Sequence, residues 1–251
     1  MPGKLKFVFI LIFSSLIICA STYADESLIN KIFFDDFVNL GSSITADPVK
    51  SLEIAAGTAI ATDLLMVNDK YFSHEIEAGK NNFNDNAMNV LNNFGDGLYV
   101  LAGDSLLFAF GGDNERKNAR KVVEAVLVSG AIAYVAKVVV GRERPSVSSS
   151  PYVYKMFSFA DSSMPSGHTT AAFAWATIIG DNYNIGYITY PAAFLCGIAR
   201  IYKNAHWPSD VLLGGLIGTV TGKSVNFENQ NISISIKNRD NVNFADLDIK
   251  F

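Results

Sequence analysis

The chain has 251 residues, 49% of them apolar and 18% charged, with a formal net charge of −4. That length suits one sizeable domain or two small ones, and the slight acidity excludes the basic field on which nucleic-acid binding depends. One of its two cysteines falls in the N-terminal apolar stretch. Cys196 is then alone in a processed chain, which excludes an intramolecular disulfide and a cysteine-based metal site and leaves an inert buried thiol.

In chain order, residues 1–24 read as an export signal. Lys4 and Lys6 form a positive start, residues 7–20 are apolar, and Thr22-Tyr23-Ala24 offers small residues for cleavage. The apolar part is shorter than the roughly 20 residues of a bilayer span, which favours a signal over the alternative of an uncleaved anchor. Residues 25–95 form an N-terminal region. It comprises a short amphipathic helix over 25–47, an Ala-rich helix over 48–67, and a polar, Asn-rich loop with a helical turn or two over 68–95. His74, in that loop, reads as a solvated surface histidine.

Residues 96–224 form the core. The stretch 97–110 is apolar apart from Asp104, 113–121 is a cationic hinge, and 122–140 is nearly continuous Val, Ala and Ile carrying only Glu124 and Lys137. Such runs are too long for strands and predict helices, buried or membrane-spanning. A loop follows over 146–164, then helices at about 165–181, 185–200 and 208–222 by the same apolar patterning. Residues 225–251 are a polar tail in which Ile232-Ser-Ile-Ser-Ile236 alternates like a strand, with no obvious partner.

Three islands stand out within the core: Lys137-Val-Val-Val-Gly-Arg-Glu-Arg144-Pro145, Pro165-Ser-Gly-His168, and Arg200-Ile-Tyr-Lys-Asn-Ala-His206-Trp-Pro-Ser-Asp210. They hold two of the three histidines and a dense set of fixed cations, the composition of an anion site with two proton carriers. Pro165 and Pro208 stand where a helix begins, so Ser166 and Gly167 offer backbone donors at a positive helix end. Lys137, Arg144 and Arg200 add cations, and the arginine fork suits phosphate oxygens. His206 and Asp210 are four residues apart, close enough for the carboxylate to reach back and orient the imidazole. Taken singly, Lys137 and Arg144 would read as helix-end charges with solvated tips.

Together the three islands resemble the signature of the type 2 phosphatidic acid phosphatase (PAP2) and vanadium haloperoxidase superfamily: Lys, six residues, Arg-Pro; Pro-Ser-Gly-His; and Ser-Arg, five residues, His, three residues, Asp. One position departs, since Ala199 stands where the family has serine. The resemblance implies an all-α helical bundle of about five or six apolar helices with its site at the helix ends. It selects Arg144 as the motif arginine, leaving Arg142 as a solvated or lipid-facing charge. It further implies phosphoryl transfer without metal or cofactor. His206 is then the nucleophile oriented by Asp210, and His168 the general acid and later base. Lys137, Arg144, Arg200 and the backbone of Ser166 and Gly167 hold the phosphate.

The implied substrate is a phosphorylated membrane lipid or a small phosphate ester, and the implied location is the bacterial cell envelope. If Arg116, Lys117, Arg120 and Lys121 are cytoplasmic, helix 122–140 runs outward and every island reaches the periplasmic face of the inner membrane. That arrangement has residues 97–110 span and 48–67 not. The alternatives are a soluble periplasmic bundle acting as a broad-specificity acid phosphatase, a vanadate-dependent haloperoxidase, and a non-enzymatic lipid-binding envelope protein.

Overall fold

The computed structural model describes residues 48–158, 162–226, 232–239 and 242–249. The signal expected at 1–24 and the amphipathic helix expected at 25–47 lie outside them. Seven helices are found among the described residues: α1 (Pro48–Ala78), α2 (Asn82–Phe94), α3 (Gly97–Phe110), α4 (Asp113–Val140), α5 (Gly167–Asn182), α6 (Gly186–Tyr202) and α7 (Pro208–Asn226). They belong to one compact unit, residues 40–228.

Two local expectations change for physical reasons. Residues 68–95 are mostly helix rather than loop. Asn81 caps α2 by accepting from the backbone of Phe83 and Asn84, the role that asparagine performs best. Tertiary bonds then hold an Asn-rich helix whose intrinsic propensity is poor: the Tyr202 hydroxyl donates to Asp85 at 2.6 Å, and Arg200 donates to the side-chain oxygen of Asn92. Residues 113–121 are no hinge but the first turns of α4. Asp113 and Glu115 lie in its first turn, where acidic side chains favour the helix dipole.

α5 is the central helix, packed against α4, α6 and α7. Its Ala171, Ala174 and Ile178 meet Val122, Ala125 and Val126 of α4, while Ala172 and Ala176 meet Ala193 and Cys196 of α6. Burying Ile178 completely contributes about 1.5–3 kcal/mol. The small residues bring helix backbones together. A side chain at Gly218 of α7 would collide with the Thr170 carbonyl of α5, so this crossing requires glycine.

α1 is polar inward and apolar outward. Thr62, Asp69 and Ser73 are buried, whereas Ile60, Leu64, Val67 and Tyr71 are 60–74% exposed. α4 ends at Gly141, whose φ of 62° is left-handed. That conformation is cheap only for glycine, and a Cβ there would also strike the Lys155 carbonyl. The turn sends residues 142–145 back toward the loop, where the Glu143 N–H donates to the Val153 carbonyl at 2.9 Å.

The second unit contains an antiparallel hairpin of β1 (Ile232–Arg239) and β2 (Val242–Ile249), in register from Ile232 opposite Ile249 to Arg239 opposite Val242. The strand expected without a partner thus has one. β2 carries Asp246 and Asp248, residues that strands disfavour, and its alternation is weaker than that of β1.

Candidate active site

Each island arrives on a different part of the bundle. Lys137 lies in the last turn of α4, and its ammonium donates to the carbonyls of Ser162 and Ser163 at 2.6 and 3.3 Å. Arg144, just beyond Gly141, donates to the Ala205 carbonyl at 3.0 Å. Arg200 sits near the end of α6 and is steadied by Asn92 of α2. Neutral oxygens thus help hold all three cations. They form one cluster with the histidines: the charges of Arg200, Arg144 and Lys137 bear on His168, and those of Lys137 and Arg200 on His206.

Ser166 is the N-cap of α5. Its hydroxyl oxygen accepts from the Thr169 hydroxyl at 2.9 Å, and its own N–H donates to the Asp210 carbonyl at 3.0 Å. The backbone donor expected at Ser166 is therefore committed to α7, and its role is to cap α5 and join the two helix starts. Helix geometry gives the N–H groups of Gly167 and His168 no intrahelical acceptor. They are the donors that a bound anion would meet at this positive end.

His206 precedes the first turn of α7 and is 2% exposed. Its Nδ1 lies 3.7 Å from Oδ2 of Asp210, ion-pair range rather than a hydrogen bond. The same Oδ2 accepts the Trp207 N–H at 2.8 Å. Burial lowers the His206 pKa to about 4 against the pull of Asp210, with Lys137 and Arg200 adding to the depression. Although burial opposes its ionisation, His206 and Arg142 hold the Asp210 carboxyl below the usual carboxylate range. At neutral pH His206 is a neutral imidazole backed by a carboxylate, the state a nitrogen nucleophile requires.

Burial and the nearby Arg200 likewise lower His168 to about 4, although Asp96 pulls the other way. A bound dianion would reverse the balance of charge and draw a proton onto this ring. Sulfate, which has no proton to exchange near neutrality, should therefore bind with net proton uptake at pH 6. Calorimetry in buffers of different ionisation enthalpy measures this. Proton release, or none exchanged, would contradict the arrangement.

Arg142 is the largest departure from expectation. Rather than solvated, it is fully buried. It donates to Asp210 Oδ1 at 2.7 Å, to the Ser209 hydroxyl at 2.7 Å, to Asp69 of α1 at 2.6 Å and to the Pro151 carbonyl at 2.8 Å. Trp207 and Tyr154 place their rings 5.7 and 6.0 Å from the guanidinium carbon. Deleting one partner of such a buried group typically costs about 3–5 kcal/mol, because it leaves charge uncompensated. His74 is exposed, as expected, and Cys196 is buried in the contact of α5 with α6.

The family model of the PAP2 superfamily matches residues 118–229. A lipid A 1-phosphatase of Rhizobium johnstonii is 32% identical over 154 residues, covering 51% of this chain and 61% of that protein. A lipid A 1-phosphatase of Porphyromonas gingivalis is 42% identical over 69 residues, 26% of this chain and 16% of that one. The crystal structure of Aquifex aeolicus LpxE is similar with a TM-score of 0.51 at 25% identity, covering 62% of this chain and 92% of that one. The chain thus spans less than two thirds of the length of these curated relatives.

Proposed function

We propose that this chain, whose residues 118–229 match the family model of the PAP2 superfamily, is a metal-independent phosphatase that removes phosphate from a lipid-anchored substrate, with a lipid A-type glycolipid phosphate first among the candidates. The observation that carries the reading is His206, backed by Asp210 at 3.7 Å and set with His168 among three cations.

Because Nδ1 of His206 faces Asp210, Nε2 attacks phosphorus in line with the leaving oxygen. A P–N bond forms and the P–O bond breaks, while His168 delivers its proton to the leaving oxygen. Asp210 stabilises the positive ring that results. Lys137, Arg144, Arg200 and the Gly167 N–H hold the non-bridging oxygens, where charge develops. In the second half His168, now neutral, takes a proton from water as that water attacks phosphorus. Inorganic phosphate leaves and His206 is regenerated.

The choice of lipid rests on the names of the curated relatives and on the outward apolar faces of the bundle. Leu64 and Val67 of α1, Tyr134 and Val135 of α4 and Tyr187 of α6 are all more than 60% exposed. Apolar surface on this scale marks contact with lipid or another apolar partner. The decisive experiment is phosphate release from lipid A, phosphatidic acid, phosphatidylglycerol phosphate, undecaprenyl diphosphate and a soluble aryl phosphate, with and without exhaustive chelation. Turnover of lipid A that survives the chelator is expected. Activity abolished by chelation and restored by magnesium would contradict the chemistry, and activity on the aryl phosphate alone would remove the lipid.

α4 is the one helix among the described residues long and apolar enough to cross a membrane. With its basic start cytoplasmic, the site opens to the periplasm. Cysteines at Ser149 and Asn114, both exposed, test this with an impermeant thiol reagent in cells with a permeabilised outer membrane. Ser149→Cys should label and Asn114→Cys should not. Labelling of both would defeat the topology.

A further inference from the structure

Asp69 lies on α1, outside the residues that match the family model, and 73 residues before Arg142 in the chain. A carboxylate is an expensive group to bury, yet this one has no exposure. Its bonds all lead toward the reactive histidine. Oδ1 accepts the Ser209 N–H at 2.8 Å, and Oδ2 accepts the Ser209 hydroxyl and the Arg142 guanidinium, both at 2.6 Å. The other terminal nitrogen of Arg142 holds Asp210 Oδ1 at 2.7 Å, which leaves Oδ2 facing the Trp207 N–H and His206.

We infer that Asp69 is a positioning residue for phosphoryl transfer: acting through Arg142 and Ser209, it fixes the Asp210 carboxylate behind His206 and keeps that carboxylate effective. Two contributions follow from the geometry. Mechanically, Asp69 grips both ends of the link, the guanidinium and the first turn of α7, so the Asp210 carboxylate has one orientation. Electrostatically, two carboxylates share one guanidinium, and the buried group stays net negative beside a ring that turns cationic when phosphorylated. Without Asp69, Arg142 would neutralise Asp210 alone, and the imidazole would lose part of its support.

A staple between α1 and α7 with no bearing on the chemistry would make the same contacts. The two roles separate in kinetics. The inference rests on the phosphatase reading, so wild-type turnover is the reference. Asp69→Asn, close in shape, should lower kcat by about 10–100-fold, the scale on which partners behind a reactive group act. The KM and the vanadate inhibition constant should change by less than about threefold, because Lys137, Arg144 and Arg200 are untouched. Asp69→Asn added to Asp210→Asn should have almost no further effect on kcat, since its route to His206 is already broken.

Ser209→Ala removes one hydroxyl contact of Asp69 while keeping every charge. It should lower kcat severalfold at unchanged KM, which covers the case in which Asp69→Asn does not fold. Wild-type kcat in Ser209→Ala or in a folded Asp69→Asn overturns the inference, as do losses that multiply in the double variant or appear in KM. Absence of wild-type turnover on every substrate overturns the phosphatase reading and this inference together. A wild type that turns over while its variants keep kcat overturns this inference alone.

Discussion

His206→Ala should abolish turnover on every substrate, whatever the leaving group, with a loss on the order of 10⁴–10⁶-fold, as when a hydrolase loses its covalent nucleophile. The expectation follows from position. The ring lies 3.7 Å from Asp210, feels the charges of Lys137 and Arg200 and is nearly fully buried. Alanine leaves no group in the same place to form the P–N bond. The phosphate cradle does not include this side chain, so vanadate or sulfate should still bind, more weakly. A His206→Ala enzyme that keeps even a hundredth of wild-type kcat would show that the nucleophile is elsewhere. Asp210→Asn should fall between wild type and His206→Ala, because the ring stays near its place while support for its charge weakens.

His168→Ala should produce a loss that depends on the leaving oxygen. An alkoxide leaving group is strongly basic and needs the proton, so the first step should slow by about 10²–10⁴-fold, the usual share of a general acid. A nitrophenolate leaves without much help, and formation of the phosphoenzyme from a nitrophenyl ester should slow by about tenfold or less. Release of phosphate from the intermediate should slow for both substrates, since the same ring then activates water. Nitrophenyl phosphate should therefore give a burst followed by slow turnover. Equal losses in the first step for alkyl and nitrophenyl substrates would remove His168 from the acid role.

The residues of the three islands were legible in sequence because their chemistry is local. His206 and Asp210 are four apart at a helix start, and Lys137 and Arg144 lie on either side of the glycine that ends one helix. The partners that hold them were not. Asp69 looked like one more polar residue in an Asn-rich stretch, and only the fold brings α1 onto α7. Arg142 differs from Arg144 by two positions, yet Gly141 turns one arginine into the interior and leaves the other half-buried at the cation cluster.

The same distinction explains Ser166, whose N–H is taken by the Asp210 carbonyl, a contact between two helix starts that no spacing rule contains. The stretch that forms α2 reads as loop in sequence because asparagine favours turns and caps, and the bonds that overcome this come from α6. The helices of the core followed from their apolar runs, whereas the cap positions and the β2 partner strand depended on contacts made only after folding.

The most direct measurement is rapid quench of the wild-type enzyme with labelled substrate into alkali, where a phosphohistidine survives and acyl phosphates do not, followed by peptide mapping. One phosphoryl group on His206 is expected, formed at a rate no slower than turnover and lacking in His206→Ala. Label on any other residue, on His206→Ala, or formed more slowly than turnover would contradict the account.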